Sequence, residues 1–268
     1  MERCWLELKG KTKLGKLDGS QTPGLKGSRE DAEQITEQLR TELIDLQRRL
    51  FADGSKSLLI VLQAMDTGGK DGTIRRVFSG VNPNGVRIAR FQKPTDEEFA
   101  HDYLWRVHQQ TPAKGEITIF NRSHYEDVLV VRVNDLVAPK VWKKRFDHIR
   151  HFEELLTDEG TRVVKFYLHI NKDEQKERLQ ARLDDPAKHW KFDEHDIEQR
   201  KHWDAYMEAF EDVIKKTSTK DAPWFIIPAN RKWFRDYAIM NILVDTLKDM
   251  DPQYPPADGF DPSAIQID

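Results

Sequence analysis

The chain has 268 residues, a formal net charge of −3 and a single cysteine, Cys4. That length suits one large domain or two small ones, and the balanced charge argues against a dedicated duplex-DNA binder. One cysteine forms no internal disulfide, cysteine zinc cluster or iron–sulfur site. Seven Trp and thirteen Phe exclude a disordered chain, since such chains are poor in aromatics. No apolar run approaches the ~18 residues a membrane span needs. Residues Met1 to Trp5 lack the apolar stretch of a secretory leader, so the expectation is a cytoplasmic protein with neither membrane nor nucleic acid as partner.

Residues 1–28 are polar, rich in Lys and Gly, and carry Pro23, which predicts an irregular N-terminal arm. From Ser28 the pattern changes: Leu39, Leu43, Leu46 and Leu50 recur at helical spacing, and the helix should end near Gly54. Ser57 to Leu62 is an apolar run of strand length, unbroken as in a parallel strand buried on both faces. Weaker or shorter strands follow at Val86–Phe91 and Ile117–Phe120, with a good one at Val163–Leu168 and a last at Trp224–Ile227. Between them, Thr95 and Glu98 form a capping box ahead of Phe99, Tyr103 and Val107. Pro139 opens a helix with Trp142, Phe146, Ile149, Phe152 and Leu156 on one face, whose aromatics could be core or an interface between copies. Asn171 with Glu174 starts another helix, and Trp233 to Leu247 forms the last. Strands alternating with helices predict an α/β three-layer sandwich on a five-stranded parallel sheet. The expected divisions are the arm, a catalytic domain over 29–254 and a loose tail over 255–268.

Directly after the first strand comes Ala64-Met65-Asp66-Thr67-Gly68-Gly69-Lys70-Asp71-Gly72-Thr73. This is close to a P-loop, with Gly69-Lys70 in register but Ala64 for the first Gly and Asp71 for the usual hydroxyl residue. Glycines let successive backbone N–H groups converge on an anion, and the following helix N-terminus adds partial positive charge. Gly68, Gly69, Lys70, Asp71, Gly72 and Thr73 are therefore the candidate phosphate-binding residues. With the hydroxyl missing, Asp66 is the obvious ligand for Mg2+, which prefers hard oxygen donors beside phosphates.

Ligands of open parallel sheets bind beyond the carboxyl ends of the strands. The third strand there leads into Asn121-Arg122-Ser123-His124-Tyr125-Glu126-Asp127. Arg122 suits the charge of a transferred phosphoryl group, and Asp127 or Glu126 suits the binding or orienting of Mg2+. We expect Asp66, Lys70, Arg122 and Asp127 to be catalytic, with Asp66 and Asp127 sharing the metal. His124 reads as a packing or hydrogen-bonding residue. Residues 178 to 202 hold Arg178, Arg182, Lys188, Lys191 and Arg200 among aromatics. They read as a solvated helix pair or as a helical lid, about 178–215, closing on phosphates. Arg182 and Lys191 are its candidate phosphate contacts.

Together, Gln63 to Thr73, Phe120 to Val128, and Arg182-Leu183-Asp184-Asp185-Pro186 with Trp190-Lys191-Phe192 resemble the polyphosphate kinase 2 family. The resemblance runs from about Leu39 to Tyr254. It implies a P-loop kinase fold and transfer of the terminal phosphoryl group of inorganic polyphosphate to a nucleotide, with Mg2+ or Mn2+ in its place. The Glu126-Asp127 pair resembles the subgroup acting on both AMP and ADP. The adenine nucleotide acceptor would then sit near Phe91, Lys93, Asn121 and Glu126, and homo-oligomers, dimers or tetramers, are implied. The alternative is an ATP-dependent nucleoside monophosphate kinase of the thymidylate kinase type, and a third reading is a polyanion-binding module without catalysis.

Overall fold

The computed structural model describes residues 3–8, 12–259 and 265–267. Ser28 opens the first long helix, α1 (Arg29–Asp53), through a reciprocal capping box with Asp31, and Gly54 in the left-handed region closes it. There follow β1 (Ser57–Ala64), α2 (Lys70–Val77), β2 (Val86–Arg90), α3 (Asp96–Ala100), α4 (Trp105–His108), β3 (Ile117–Asn121), α5 (Val130–Val133) and α6 (Pro139–Asp158). The chain continues through β4 (Thr161–His169), α7 (Lys172–Leu183), α8 (Glu194–Lys201), α9 (Trp203–Thr217), β5 (Trp224–Pro228) and α10 (Lys232–Met250).

All five strands are parallel, in the order β2-β3-β1-β4-β5. Every residue of β1 is buried, as its unbroken apolarity requires at the centre of a sheet covered on both faces. α1 packs along α10, and α6 packs on β4 and α9, giving the two helical layers. Trp142 and Phe146 are 8% and 4% exposed and belong to the core. The register aligns Leu62, Asn121 and Arg90 side by side, so β2 and β3 end at one level and β1 runs two residues further, to Ala64, at the same edge of the sheet.

Three details differ from the sequence pattern. The helix begun by the Thr95–Glu98 box stops at Ala100, because Asp102 Oδ1 accepts the Leu104 N–H at 2.9 Å and turns the chain before α4. Of the stretch expected as a lid, α9 is a core helix that buries Trp203, Met207, Phe210 and Val213. The irregular arm is packed, with Cys4, Leu6 and Leu14 buried and the Leu6 N–H bonded to Ile226 O at 2.8 Å. Residues 255–259 are exposed, and the remainder of the expected tail falls partly outside the described residues. Among the described residues no helix is long and apolar enough to cross a membrane.

Candidate active site

β1 ends at Ala64 and α2 starts at Lys70, which leaves five residues for the glycine loop. Thr67 and Gly69 take φ values of 62° and 101°. At Gly69 a Cβ would stand 2.2 Å from Arg235 Nη1, so this left-handed turn has room only for glycine. The turn closes by Gly68 N–H to Met65 O and Thr73 N–H to Gly69 O, each 2.9 Å. Thr73 is buried and its hydroxyl also donates to Gly69 O, at 3.1 Å, so it stabilises the loop from inside instead of reaching its mouth. Lys70 Nζ donates to Ala64 O at 3.1 Å. Burial lowers the Lys70 ammonium below its ordinary value, and the Arg122 guanidinium adds to this while Asp66 and Glu126 oppose it.

Arg122 follows β3 in the left-handed region, φ 61°, and its Nη2 donates to Asp66 Oδ1 at 3.1 Å. Burial works against its charge, but the carboxylates of Glu126 and Asp66 raise the guanidinium above its ordinary value. Beyond it, residues His124–Asp127 form a single 3₁₀ turn. Ser123 Oγ caps the start of this turn and ties it to β1, accepting from Tyr125 N–H and Gln63 Nε2, each at 3.1 Å. His124 and Tyr125 point into the core and meet Glu153 Oε1 at 3.3 and 2.7 Å. Glu126 returns to the surface in a cavity of about 180 Å³ shared with Asp66, Arg122 and, from α8, Asp196. Burial raises the Glu126 carboxyl, with Arg122 and Lys70 pulling it down.

Asp127 does not join them. It pairs with Arg145 Nη1 at 3.1 Å and lines a separate cavity of about 940 Å³ between α3, α4 and α6. Burial pushes it up to about 6 against the pull of Arg145 and Arg106. Asp66 and Asp127, expected to share a metal, thus line different cavities, and it is Glu126 that shares one with Asp66. The reason is local, because a 3₁₀ turn rotates about 120° per residue and neighbours on it cannot face the same cavity.

A cleft of about 640 Å³ runs from Asp66 along the glycine loop. Arg178 and Arg182 of α7 and Lys188 and Lys191 of the following turn form one wall, and Lys232 and Arg235 of α10 another. Arg75 and Arg76 line it from α2. Arg182 Nη1 is held by Lys191 O at 2.8 Å and Asp196 Oδ2 at 3.0 Å. Arg235 is 1% exposed, bonds Asp236 Oδ1 at 2.7 Å, and is lowered to about 10 by burial against the pull of Asp236. Sequence reasoning passed over Arg235, Lys232, Arg75 and Arg76. The available signal was an Arg-Asp pair on the apolar face of a core helix, where charge must be matched by a partner. Of the expected nucleotide residues, Phe91 lines the cleft, and Asn121 lines it while donating to Asp71 Oδ1 at 2.6 Å, which fastens α2 to β3. Lys93 is exposed outside the cleft wall.

Among the described residues, no group of three or more His, Cys, Asp or Glu side chains could hold a metal ion by itself. A hard divalent cation bound mainly by phosphate oxygens and water still fits, because Asp66 and Glu126 offer carboxylate oxygens to one cavity. Gln63 Nε2 donates to Ser123 Oγ, and its Oε1 is buried without a hydrogen-bond partner.

Strand, glycine loop and helix in succession, at the carboxyl edge of a parallel sheet in this order, make the frame of a P-loop phosphotransferase. Residues 26–255 match the family described as polyphosphate kinase 2, and the chain belongs to that family. It is 54% identical over 255 residues to the AMP/ADP-polyphosphate phosphotransferase of Meiothermus ruber, covering 95% of this chain and 96% of the relative. It is 42% identical over 241 residues to the ADP-polyphosphate phosphotransferase of Rhodopseudomonas palustris, covering 84% and 83%. The crystal structure of polyphosphate kinase 2 from Arthrobacter aurescens TC1 superposes with a TM-score of 0.92 at 43% identity, covering 96% of this chain and 92% of that one.

Proposed function

We propose that this chain transfers the terminal phosphoryl group of inorganic polyphosphate to AMP and to ADP, giving ADP and ATP. The observation that carries the reading is the cleft, where cations from α2, α7, the following turn and α10 converge on one glycine loop. Polyphosphate has no base or sugar, so cations and backbone N–H groups are the only means of gripping it. An ATP-dependent monophosphate kinase would share the loop, but the similar proteins carry polyphosphate in their names.

In this reading the donor chain lies along Arg182 and Lys191, with its terminal phosphoryl group at the mouth of the loop beside Lys70. Arg122 neutralises the equatorial oxygens as the acceptor's phosphate oxygen attacks in line. The new P–O bond forms as the bridging P–O bond to the rest of the chain breaks. The shortened polyphosphate leaves with the electron pair on its new terminal oxygen, balanced by Arg182 and Lys191. Positioning and electrostatics do this work, since the loose transition state needs no covalent enzyme intermediate. A divalent ion, Mg2+ or Mn2+, would be held by Asp66 and Glu126 and would neutralise phosphate charge there. The test is a donor–acceptor matrix with Mg2+: polyphosphate or ATP against AMP, ADP, GMP and GDP. Polyphosphate should convert AMP to ADP and then ATP. Conversion with ATP alone as donor would overturn the reading.

A further inference from the structure

The N-terminal arm passes the carboxyl edge of β4 and β5 at residues 17–19, beside the cleft but outside it. His169, the last residue of β4, is 1% exposed, and its Nε2 lies 2.9 Å from Leu17 O. A carbonyl oxygen only accepts, so Nε2 is the donor in this contact, and burial lowers the imidazole below its ordinary value. Next along the arm, Asp18 Oδ1 accepts from Asn171 Nδ2 at 3.0 Å, and Gly19 N–H donates to Asn171 Oδ1 at 2.7 Å. Gly19 O accepts the Asn230 N–H at 3.1 Å, and Asn230 Oδ1 accepts the Asn171 N–H at 3.0 Å. Three segments are thus laced together: the arm, the start of α7 and the turn between β5 and α10.

That turn and α7 are what hold the glycine loop. Arg178 Nη2 donates to Ala229 O and Asn230 O at 2.6 and 3.1 Å, and its Nη1 donates to Thr67 O at 3.0 Å. One turn earlier on α7, Gln175 Nε2 donates to Asp66 O at 3.0 Å. Because the peptide unit is planar, a carbonyl held on one side turns the next N–H to the other. Gln175 therefore sets the direction of the Thr67 N–H, and Arg178 sets that of the Gly68 N–H, which closes the loop onto Met65 O.

We propose that residues 17–19 of the arm are a positioning element of the phosphate loop, acting through Asn171, Asn230 and Arg178, with Gly19 as the residue that permits the close approach. A Cβ at position 19 would stand 2.6 Å from Asn230 Oδ1, 2.7 Å from His169 O and 3.0 Å from Asn171 Oδ1. Alanine there forces the lacing apart without touching the cleft. The kinetic part of this inference rests on the polyphosphate reading, and the structural part does not.

The experiment compares wild type with Gly19→Ala, Asp18→Ala and Gly24→Ala by hydrogen–deuterium exchange and by steady-state kinetics. In Gly19→Ala, exchange across residues 64–73 should speed up, and the KM for polyphosphate should rise about tenfold while kcat and the KM for AMP stay within about twofold. Gly24 is the control, a second tight glycine of the arm (its Cβ would stand 2.3 Å from Arg3 O) that touches none of these partners. Gly24→Ala should lower Tm and leave both readouts alone. Should Gly19→Ala fail to fold, Asp18→Ala decides, with the same changes at smaller size. Loop exchange and polyphosphate KM at wild-type values, or the same change in Gly24→Ala, would overturn the proposal. Wild type without polyphosphate turnover would overturn the functional reading instead, and the exchange comparison would still decide the role of the arm.

Discussion

Asp66 and Arg122 meet across the mouth of the glycine loop, Oδ1 to Nη2 at 3.1 Å, with side chains 21% and 45% exposed. An ion pair this open to water contributes little to stability. It keeps the guanidinium over the loop, and an arriving phosphate, carrying more charge than a carboxylate, can take the fork over at small cost.

Arg122→Lys keeps the charge and loses the planar fork. We expect kcat to fall about 10²- to 10³-fold, with Tm close to wild type because the lost pair is exposed. Steady-state kinetics beside a thermal melt checks this. Turnover near wild type would remove Arg122 from the transfer step.

Glu126 and Asp127 are neighbours with opposite surroundings, so their amide variants should behave differently. Glu126→Gln removes a carboxylate from the cavity it shares with Asp66. It should lower kcat by at least about tenfold and raise the Mg2+ concentration needed for half-maximal rate. Asp127→Asn loosens a contact with Arg145 on the far side of the turn and should leave the Mg2+ requirement unchanged. Mg2+ titrations of the two variants decide the matter, and the reverse pattern would restore Asp127 to the metal site.

Asp127 also predicts a pH dependence. Its folded value of about 6 lies above its ordinary 3.8, because burial disfavours the charged form. The folded state therefore binds this proton more tightly than the unfolded state. The stability it contributes is full below 3.8 and is lost as pH rises through about 6. Asp196 carries the same sign, raised to about 6 by burial and by Asp66 nearby. Between these pH values the urea midpoint of wild type relative to Asp127→Asn should fall with rising pH. An unchanged difference would show that Asp127 titrates at its ordinary value.

The five strands were legible because parallel strands covered on both faces write continuous apolarity into the chain. β2 was the weakest signal because it is the edge strand, with Ile88 46% exposed. Two things were not legible. Which carboxylate of Glu126-Asp127 faces Asp66 depends on the rotation of one 3₁₀ turn, and composition carries no record of it. Arg235 sits in a helix whose neighbours Phe234, Ala238 and Ile239 are core, and only the tertiary structure brings it under Gly69, where its Nη1 lies 3.3 Å from the carbonyl oxygen.

Beneath the 123–127 turn lies Lys165, at the middle of β4 and fully buried. Its Nζ donates to Glu153, to Tyr125 OH at 3.0 Å and to Thr217 O at 2.8 Å. Lys165→Met fills the space but leaves the Glu153 carboxylate buried with no cation. Removing one partner of such a pair costs about 3–5 kcal/mol, whereas replacing both by uncharged groups of similar volume costs far less. We therefore expect Lys165→Met to lower the urea midpoint sharply, and Lys165→Met with Glu153→Gln to recover much of the loss. Tyr125 and His124 both bond Glu153, so the single variant should also loosen the turn that carries Glu126 and raise its Mg2+ requirement. A double-mutant cycle measures the coupling directly. Additive effects would mean that Lys165 and Glu153 stabilise the fold independently and that the turn is held by packing alone.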